Sequence, residues 1–296
     1  MIDKGFITTK HQKVSSQEAT EKRLSGSPIF VPASNFEKKG VNTFFSSLCK
    51  SYDGVITPSR NFDQKEMTGD VFIRGFQGMK THVLIRNLIK NNRTFYFVDS
   101  GYFGNEKLPY KKWHRVTKND FQNCKIISRK PDRARMLRLT PKKWKKDGDF
   151  IMICPPSMKS MGFFMEKKMT EADVDKWVGG VVKRLRKHTD RPIVVRKKNR
   201  SRKHRIFTDP LHVALDGCYA LITYNSIAAV ESIYHGVPAI TLAPNAAQEM
   251  CVQDLSKINS LIYPDRNKWL NHLSYCQFQE RDASTGFARS TLEGEF

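Results

Sequence analysis

Short apolar runs alternate with amphipathic segments along most of this chain. In residues 219–242, an apolar run is followed by a polar turn at Asn225 and Ser226, a segment of helical spacing and a second apolar run. Gly236 ends the helical segment, and Pro238 prevents it from resuming. The pattern predicts a unit of strand, turn, short helix and strand. The predicted elements are, in order, residues 219–222, 227–235 and 239–242.

The same alternation extends through both halves of the chain. Residues 70–104 read as strand, glycine-bearing loop, helix and strand. Further strands are predicted over residues 149–157 and 192–196, and a helix over residues 170–187 begins at a capping Thr170. Strands that alternate with helices are typical of parallel sheets covered on both faces. The predicted fold class is α/β, with two Rossmann-like domains facing a central cleft.

The domain boundaries follow from shifts in polarity and charge. A polar, non-periodic start predicts a flexible arm, and an apolar terminal segment predicts a helix that packs across the domains. The predicted divisions are the arm at residues 1–26, an N-terminal α/β domain at 27–140, a C-terminal α/β domain at 141–265 and the helical segment at 266–296.

Composition indicates a folded protein with an anionic partner. The 296 residues are 39% hydrophobic, and 51 Lys and Arg oppose 29 Asp and Glu, a formal net charge of +22. This charge favours a polyanion, most simply nucleic acid, although a basic protein that merely stays soluble would show it too. The sequence contains no signal peptide and no membrane span, so we expect a cytoplasmic protein.

The six cysteines are scattered and are expected to be reduced core residues. No CxxC pair and no cluster of His and Cys supports a structural zinc site. We expect no permanently bound cofactor. A divalent metal accompanying a substrate is compatible with the sequence but is not required.

Two segments concentrate the positive charge. The basic connector, residues 129–146, carries nine Lys and Arg against Asp132, and residues 196–205 carry seven without a carboxylate. Both are expected to contact nucleic-acid phosphates, with binding that weakens steeply as salt rises. The residues predicted to do so here are Lys142, Lys143, Lys198, Arg200 and Arg202.

The turn at Asn225 and Ser226 places free backbone N–H groups over Ser226, where an anion fits. Simple capping of the helix explains Ser226 equally well. The stretch NSIAAVESIYHGVPAI, within residues 149–261, resembles the nucleotide-binding half of glycosyltransferases with the GT-B architecture. Nucleotide-sugar epimerases share that pattern.

The resemblance implies a donor site for a nucleotide-sugar, here expected to be a UDP-sugar. Ser226 and the amides from Ile227 onward would contact the diphosphate, Glu231 would bind a ribose hydroxyl, and Arg196 would stabilise the leaving diphosphate. Glu231 also fits a helix-stabilising surface carboxylate. The predicted donor-binding residues are Arg196, Asn225, Ser226, Ile227 and Glu231.

The first half is expected to supply the acceptor site and a general base. Asp99 closes a predicted strand and would face the cleft, where a carboxylate takes a proton from an attacking hydroxyl. Asp also favours the turn before Ser100, so a structural role is an alternative. His114 is the second candidate base, since histidine titrates near neutral pH, although a packing role is common for such a residue.

Further cations of the first half are predicted to bind nucleic acid because of the residues around them. Two of them flank a glycine-bearing loop, and three lie near Tyr102, Phe103 and Trp113, aromatic side chains that could stack on a base or pack in the core. The residues are Arg74, Lys80, Lys111, Lys112 and Arg115.

Together these observations predict a glycosyltransferase that moves a sugar onto a hydroxyl of modified DNA bases of the hydroxymethylpyrimidine type, with inversion at the sugar. The design is similar to bacteriophage DNA glycosyltransferases, which would place the protein in the host cytoplasm. Three alternatives stay open: a transferase for a polysaccharide or lipid-linked acceptor, a nucleotide-sugar epimerase, and a non-catalytic nucleic-acid-binding protein on the same scaffold. The last would lack a carboxylate at the cleft.

Overall fold

The structure is a computed structural model, and it describes residues 26–32, 43–63, 65, 67–104, 113–197 and 210–294. The predicted N-terminal arm lies outside the described residues, apart from Gly26. Within these ranges ten strands form two sheets, the first from residues 29–118 with one strand added by the C-terminal segment and the second from residues 150–241.

The first sheet has six strands in the order β10-β5-β4-β3-β1-β2. Strands β1 to β4 run parallel, whereas β5 pairs antiparallel with β4 and β10 pairs antiparallel with β5. These strands are β1 (Ile29–Val31), β2 (Val55–Ile56), β3 (Val71–Arg74), β4 (Phe95–Ser100), β5 (His114–Lys118) and β10 (Gln277–Phe278).

The second sheet has four strands, all parallel, in the order β7-β6-β8-β9. They are β6 (Phe150–Cys154), β7 (Ile193–Val195), β8 (Cys218–Thr223) and β9 (Ala239–Thr241). The apolar runs of the sequence therefore form strands of parallel sheets, and the predicted α/β class is confirmed.

Helices cover the sheets and connect their strands. In the first half they are α1 (Thr43–Ser51), α2 (Met79–Lys90) and α3 (Asp132–Met136). In the second half they are α4 (Met158–Phe164), α5 (Glu171–Leu185), α6 (Leu211–Ala214) and α7 (Ala228–Tyr234). The C-terminal segment adds α8 (Asn267–Tyr275), α9 (Glu280–Ser284) and α10 (Phe287–Glu293).

Helix α5 begins where its sequence predicts. The Thr170 side chain accepts a hydrogen bond from the Asp173 N–H at 3.2 Å, and the Asp173 carboxylate accepts one from the Thr170 N–H at 2.9 Å. This reciprocal capping box satisfies two backbone donors that a helix start leaves open. Val178 and Leu185 then lie on the buried face of the helix.

The C-terminal segment differs from the single packed helix that its apolar residues predict. Helix α8 ends at Tyr275, and Gln277 and Phe278 form β10 at the edge of the first sheet. The fully buried Trp269 of α8 packs in a core shared by Phe103 of the first half and Val230 of the second. Helix α8 therefore contributes to a core that joins residues of both halves.

Candidate active site

A cleft of about 810 Å³ lies between the carboxyl ends of the strands of both sheets. On the first-half wall it is bounded by the residues that follow β3 and end β4, and on the second-half wall by those that follow β6, β7 and β8. Loops at the carboxyl ends of parallel strands are where such folds bind ligands. The predicted residues that line the cleft are Asp99, Arg115, Arg196, Asn225, Ser226, Ile227 and Glu231.

Asp99 is the carboxylate of the first-half wall. Its Oδ1 lies 3.4 Å from Nη1 of Arg74, and its Oδ2 lies 3.2 Å from Nη2 of Arg115. The Ser100 N–H donates to Oδ1 at 2.8 Å. The side chain is 36% exposed, so it faces the cleft while two guanidinium groups hold it in place. Asp99 therefore lies at the cleft, as predicted, and also makes the contact with Ser100 that a structural role in the turn predicts.

Arg74 and Arg115 are structural cations beneath this carboxylate. They are 8% and 5% exposed, and each donates to a carbonyl of β4, Arg74 to Val98 at 2.9 Å and Arg115 to Ser100 at 2.8 Å. Burial lowers the pKa of the Arg74 guanidinium, and the neighbouring Asp99 opposes that shift. Because both guanidinium groups are enclosed, they do not reach the phosphates of a nucleic acid, and the predicted phosphate contacts of Arg74 and Arg115 are corrected.

His114 lies away from the cleft, because side chains of a strand alternate between its faces. Arg115 points to the cleft side, whereas His114 is 1% exposed and stacks on Phe44 at a ring distance of 4.7 Å. A histidine buried on the other face of the sheet does not reach an acceptor in the cleft. The second candidate base is therefore corrected to a packing residue.

Of the remaining predicted cations, the three that the structure describes, Lys80, Lys142 and Lys143, do not line the cleft. Lys80 is exposed in the first turn of α2. Lys142 donates its backbone N–H to the Tyr234 carbonyl, so the connector meets α7 at the end opposite Ser226. Outside the described residues lie Lys111, Lys112, Lys198, Arg200 and Arg202.

The predicted aromatic surface is largely core. Tyr102 is 1% exposed and Phe103 is 3% exposed. The Tyr102 hydroxyl donates to Asn123 at 2.8 Å, and the Phe103 ring packs at 6.1 Å from that of Trp269. Because both rings are enclosed, they offer no open face on which an extruded base could stack. This corrects the predicted acceptor pocket at these two positions.

On the second-half wall, the turn before α7 is fixed by side chains around it. The Asn225 carbonyl accepts from Gln122 Nε2 at 3.0 Å, and the Asn225 amide pairs with the Ser160 hydroxyl at 3.0 Å. Asn245 donates to the Ser226 carbonyl at 3.0 Å. The turn therefore has one defined shape before any ligand arrives.

The Ser226 hydroxyl accepts a hydrogen bond from the Ala228 N–H at 3.2 Å. The capping role weighed from the sequence is therefore present, although Ile227 rather than Ser226 directly precedes the helix. Helix α7 spans only seven residues, so its dipole is a small contribution to anion binding. Side-chain cations must supply most of any phosphate contact.

Among the described residues three cations line the second-half wall, and one of these, Arg196, belongs to the predicted site. Arg196 follows β7, Lys197 pairs with Asp175, and Lys159 stands in the first turn of α4. Glu231 and Glu171 are the carboxylates on this side.

Helix α4 was not predicted to line the cleft, although the sequence before it carries the signal of a helix start after a strand. Cys154-Pro-Pro-Ser157 ends a strand and precedes a helix, and the Ser157 hydroxyl caps that helix by accepting from the Ser160 N–H at 3.1 Å. The same rule that selected Asn225 and Ser226 applies to this segment. Burial raises the pKa of the nearby Cys154 thiol to about 12, against an opposing effect of Arg196, so this cysteine is uncharged at neutral pH.

Within the described ranges, no group of three or more His, Cys, Asp or Glu is arranged to hold a metal ion. None of the described helices combines the length and apolar character of a membrane span.

No protein-family model and no curated protein matches the chain. Among solved structures it is similar to the β-Kdo 2,4 transferase of KpsC from Thermosulfurimonas dismutans, with 9% identity over 86% of this chain and 92% of that one, and a TM-score of 0.47. It is also similar to the β-Kdo 2,7 transferase of KpsC from the same organism, with 10% identity, coverage of 89% and 99%, and a TM-score of 0.47. At identities of 9% and 10% and a TM-score of 0.47, these similarities carry no argument about this chain. Its fold class follows from its own two sheets.

Proposed function

We propose that this protein is a glycosyltransferase that binds a nucleotide-sugar against the second-half wall and transfers the sugar to a hydroxyl held at the first-half wall. One observation carries the proposal. A single cleft at the carboxyl ends of both sheets has the Asp99 carboxylate on one wall and the cations Lys159 and Arg196 on the other.

This distribution of charge suits glycosyl transfer. The bond between the anomeric carbon and the phosphate oxygen breaks, and the negative charge that develops on the leaving nucleotide is stabilised by Arg196 and Lys159. The acceptor oxygen forms the new bond to the anomeric carbon, and its proton passes to Asp99. Glu231 is placed to accept hydrogen bonds from hydroxyl groups of the donor. A cleft carboxylate also favours an enzyme over a non-catalytic scaffold.

The acceptor we propose is a glycan rather than a DNA base. The wall that would receive it presents the Asp99 carboxylate, 36% exposed, beside the half-buried Gln77, and such polar groups suit a hydroxyl-rich ligand. Tyr102 and Phe103, by contrast, are enclosed in the core. Modified DNA is the second acceptor to test, and UDP is one of several candidate nucleotides.

Isothermal titration calorimetry with UDP, GDP, ADP, dTDP and CMP tests the donor site. We expect one nucleotide to bind, and Arg196→Gln and Glu231→Gln each to weaken it by about tenfold or more, as loss of a charged hydrogen bond does. Arg184→Gln on the exposed face of α5 removes the same charge outside the cleft and should leave affinity unchanged. If none of the nucleotides binds, or if all three variants behave alike, the donor site is refuted.

Transfer is then measured by mass spectrometry with the matching nucleotide-sugars and two acceptor sets, glycan fragments and hydroxymethylated DNA. A gain of one sugar on a glycan supports the proposal. A gain on the DNA alone would refute the glycan acceptor while leaving the transferase intact.

A further inference from the structure

We propose that the outer face of the basic connector docks on membranes with anionic lipid headgroups. The proposal concerns a surface away from the cleft and is independent of the function proposed above. We define the connector face by the exposed cationic and apolar side chains of the connector together with Ile127, which lies just before it. They are Ile127, Lys130, Arg135, Met136, Arg138, Lys142, Lys143 and Lys146.

The connector lies along α8 and is fixed at both ends of it. At one end Arg133, 4% exposed, donates to the carbonyls of Ser274 at 2.7 Å and Gln277 at 2.8 Å. At the other end Arg266 donates to the Lys142 carbonyl at 2.6 Å. The exposed cations therefore project from an anchored backbone, so little conformational entropy of the main chain is lost on binding.

The charge of this face is almost entirely of one sign. The connector carries nine Lys and Arg and one carboxylate, Asp132. Two of the nine are committed within the protein, because Arg133 pairs with Asp282 at 2.9 Å and Lys145 pairs with Asp216 at 3.2 Å. Within the described part of the chain, the cations of the connector face form no ion pairs. Their complement is a surface dense in negative charge.

Exposed apolar side chains distinguish a membrane from a nucleic acid. Met136 is 63% exposed, the largest value for a large hydrophobic side chain among the described residues, and Ile127 is 50% exposed. Cations flank Met136 on both sides in the sequence, at Arg135 and Arg138. Phosphate backbones are bound by cations and hydrogen-bond donors, whereas the interface of a bilayer also accepts apolar side chains.

The expected strengths follow from these two contributions. Each Lys or Arg near an anionic bilayer strengthens binding by about fivefold, so removing three should weaken it by about 100-fold. Burial of a methionine side chain in the acyl region strengthens binding by about tenfold or more.

Co-sedimentation of the full chain with vesicles measures both contributions. The vesicles contain phosphatidylcholine alone or with about 30 mol% phosphatidylglycerol. We expect binding to the anionic vesicles only, a loss of about 100-fold in Lys130→Ser/Lys142→Ser/Lys143→Ser, and about tenfold in Met136→Ser. The matched control, Lys176→Ser/Lys183→Ser/Lys187→Ser, removes the same charge from exposed positions on α5 and two residues beyond its end. It should bind within about twofold of the parent.

Circular dichroism verifies that each variant is folded, and a fluorescent duplex DNA provides the competing partner. Absence of binding to anionic vesicles overturns the proposal. So does equal loss in the two triple variants, which would indicate that only net charge matters. A third result also overturns the proposal: Met136→Ser leaves vesicle binding unchanged, and the duplex binds as tightly as the vesicles. The connector face would then bind polyanions in general.

Discussion

Replacing Asp99 by Asn should test the electrostatics of the first-half wall before it tests catalysis. The substitution preserves shape and the acceptor for the Ser100 N–H, but it removes the negative charge that lies 3.4 Å from Arg74 and 3.2 Å from Arg115. Both arginines are buried and stay charged. Asp99→Asn therefore leaves two enclosed cations without their shared counter-charge.

The cost can be worked from these distances. Charge centres about 4 Å apart interact with about 4 kcal/mol at an effective dielectric constant of about 20. The Asp99 side chain is 36% exposed, so solvent screens each pair substantially. Each arginine also keeps its carbonyl hydrogen bond. We expect a net loss of about 2–4 kcal/mol in the free energy of unfolding, which leaves a domain of ordinary stability folded.

Urea denaturation followed by tryptophan fluorescence measures this loss, and a double-mutant cycle assigns it. Arg115→Met removes one cation, and the double variant Asp99→Asn/Arg115→Met should be less destabilised than the sum of the two single variants by about 1 kcal/mol or more. Additive losses, or a loss below about 0.5 kcal/mol in Asp99→Asn, would refute the proposed network.

The same variant tests Asp99 as the base once its folded fraction is known. Under conditions where Asp99→Asn is folded, loss of a general base should lower turnover by about 100-fold or more. Arg115→Met retains the carboxylate and should alter the pH profile of turnover while keeping most of the rate. If folded Asp99→Asn turns over at a near-normal rate, Asp99 is a structural carboxylate only.

Three further predictions concern stability. Gly236 and Gly286 have φ of +83° and +80°, but a Cβ on Gly236 would lie 2.0 Å from the Lys143 carbonyl, whereas one on Gly286 meets nothing within 4 Å. Gly286→Ala should therefore cost about 1 kcal/mol and Gly236→Ala about 1–3 kcal/mol more, and equal urea midpoint shifts would contradict the close approach. Gly180→Ala on the open face of α5 should stabilise the protein by about 0.5–1 kcal/mol, seen as a raised Tm. Burial lowers the pKa of His272 to about 4 from its ordinary value of 6.5, so the unfolded chain takes up a proton that the folded chain refuses between these values. As the pH falls from 6.5 towards 4, the free energy of unfolding should therefore decrease, and His272 contributes about 2 kcal/mol of this decrease at pH 5. Between pH 7.5 and 5, His272→Gln should lose about 2 kcal/mol less stability than the parent.

The strands and most helices could be predicted because their signals are local. The apolar run before Asn225 and the Thr170–Asp173 capping box each act within a few residues, and each forms as predicted. The end of the chain was predicted as one helix because its apolar residues are compatible with a helix or a strand. Pairing of Phe278 with His114, more than 150 residues away, decides the outcome, and no local pattern encodes that pairing.

The cleft residues divide along the same line. Asp99 was predicted because the end of a strand indicates the ligand-binding edge, whereas Arg196 and Glu231 were predicted from the resemblance to GT-B glycosyltransferases. The burial of Arg74 on β3 and of Arg115 and His114 on β5 could not be predicted, because it depends on which face of each strand points to the cleft and on what packs against the other face.

The cleft does not share the strong positive charge of the whole chain, as far as the described residues show. Among the described residues the cleft is lined by four cations, Arg115, Lys159, Arg196 and Lys197, and by three carboxylates, Asp99, Glu171 and Glu231. A nearly balanced lining of this kind selects a ligand by hydrogen bonds and a few placed charges rather than by attraction to a polyanion. The charges of the described lining therefore give no support to a polyanionic acceptor. In the part of the chain described here the densest concentration of positive charge is the connector, which meets α7 at the end opposite Ser226, so the vesicle assay of the connector face and the acceptor assays of the cleft test two surfaces separately.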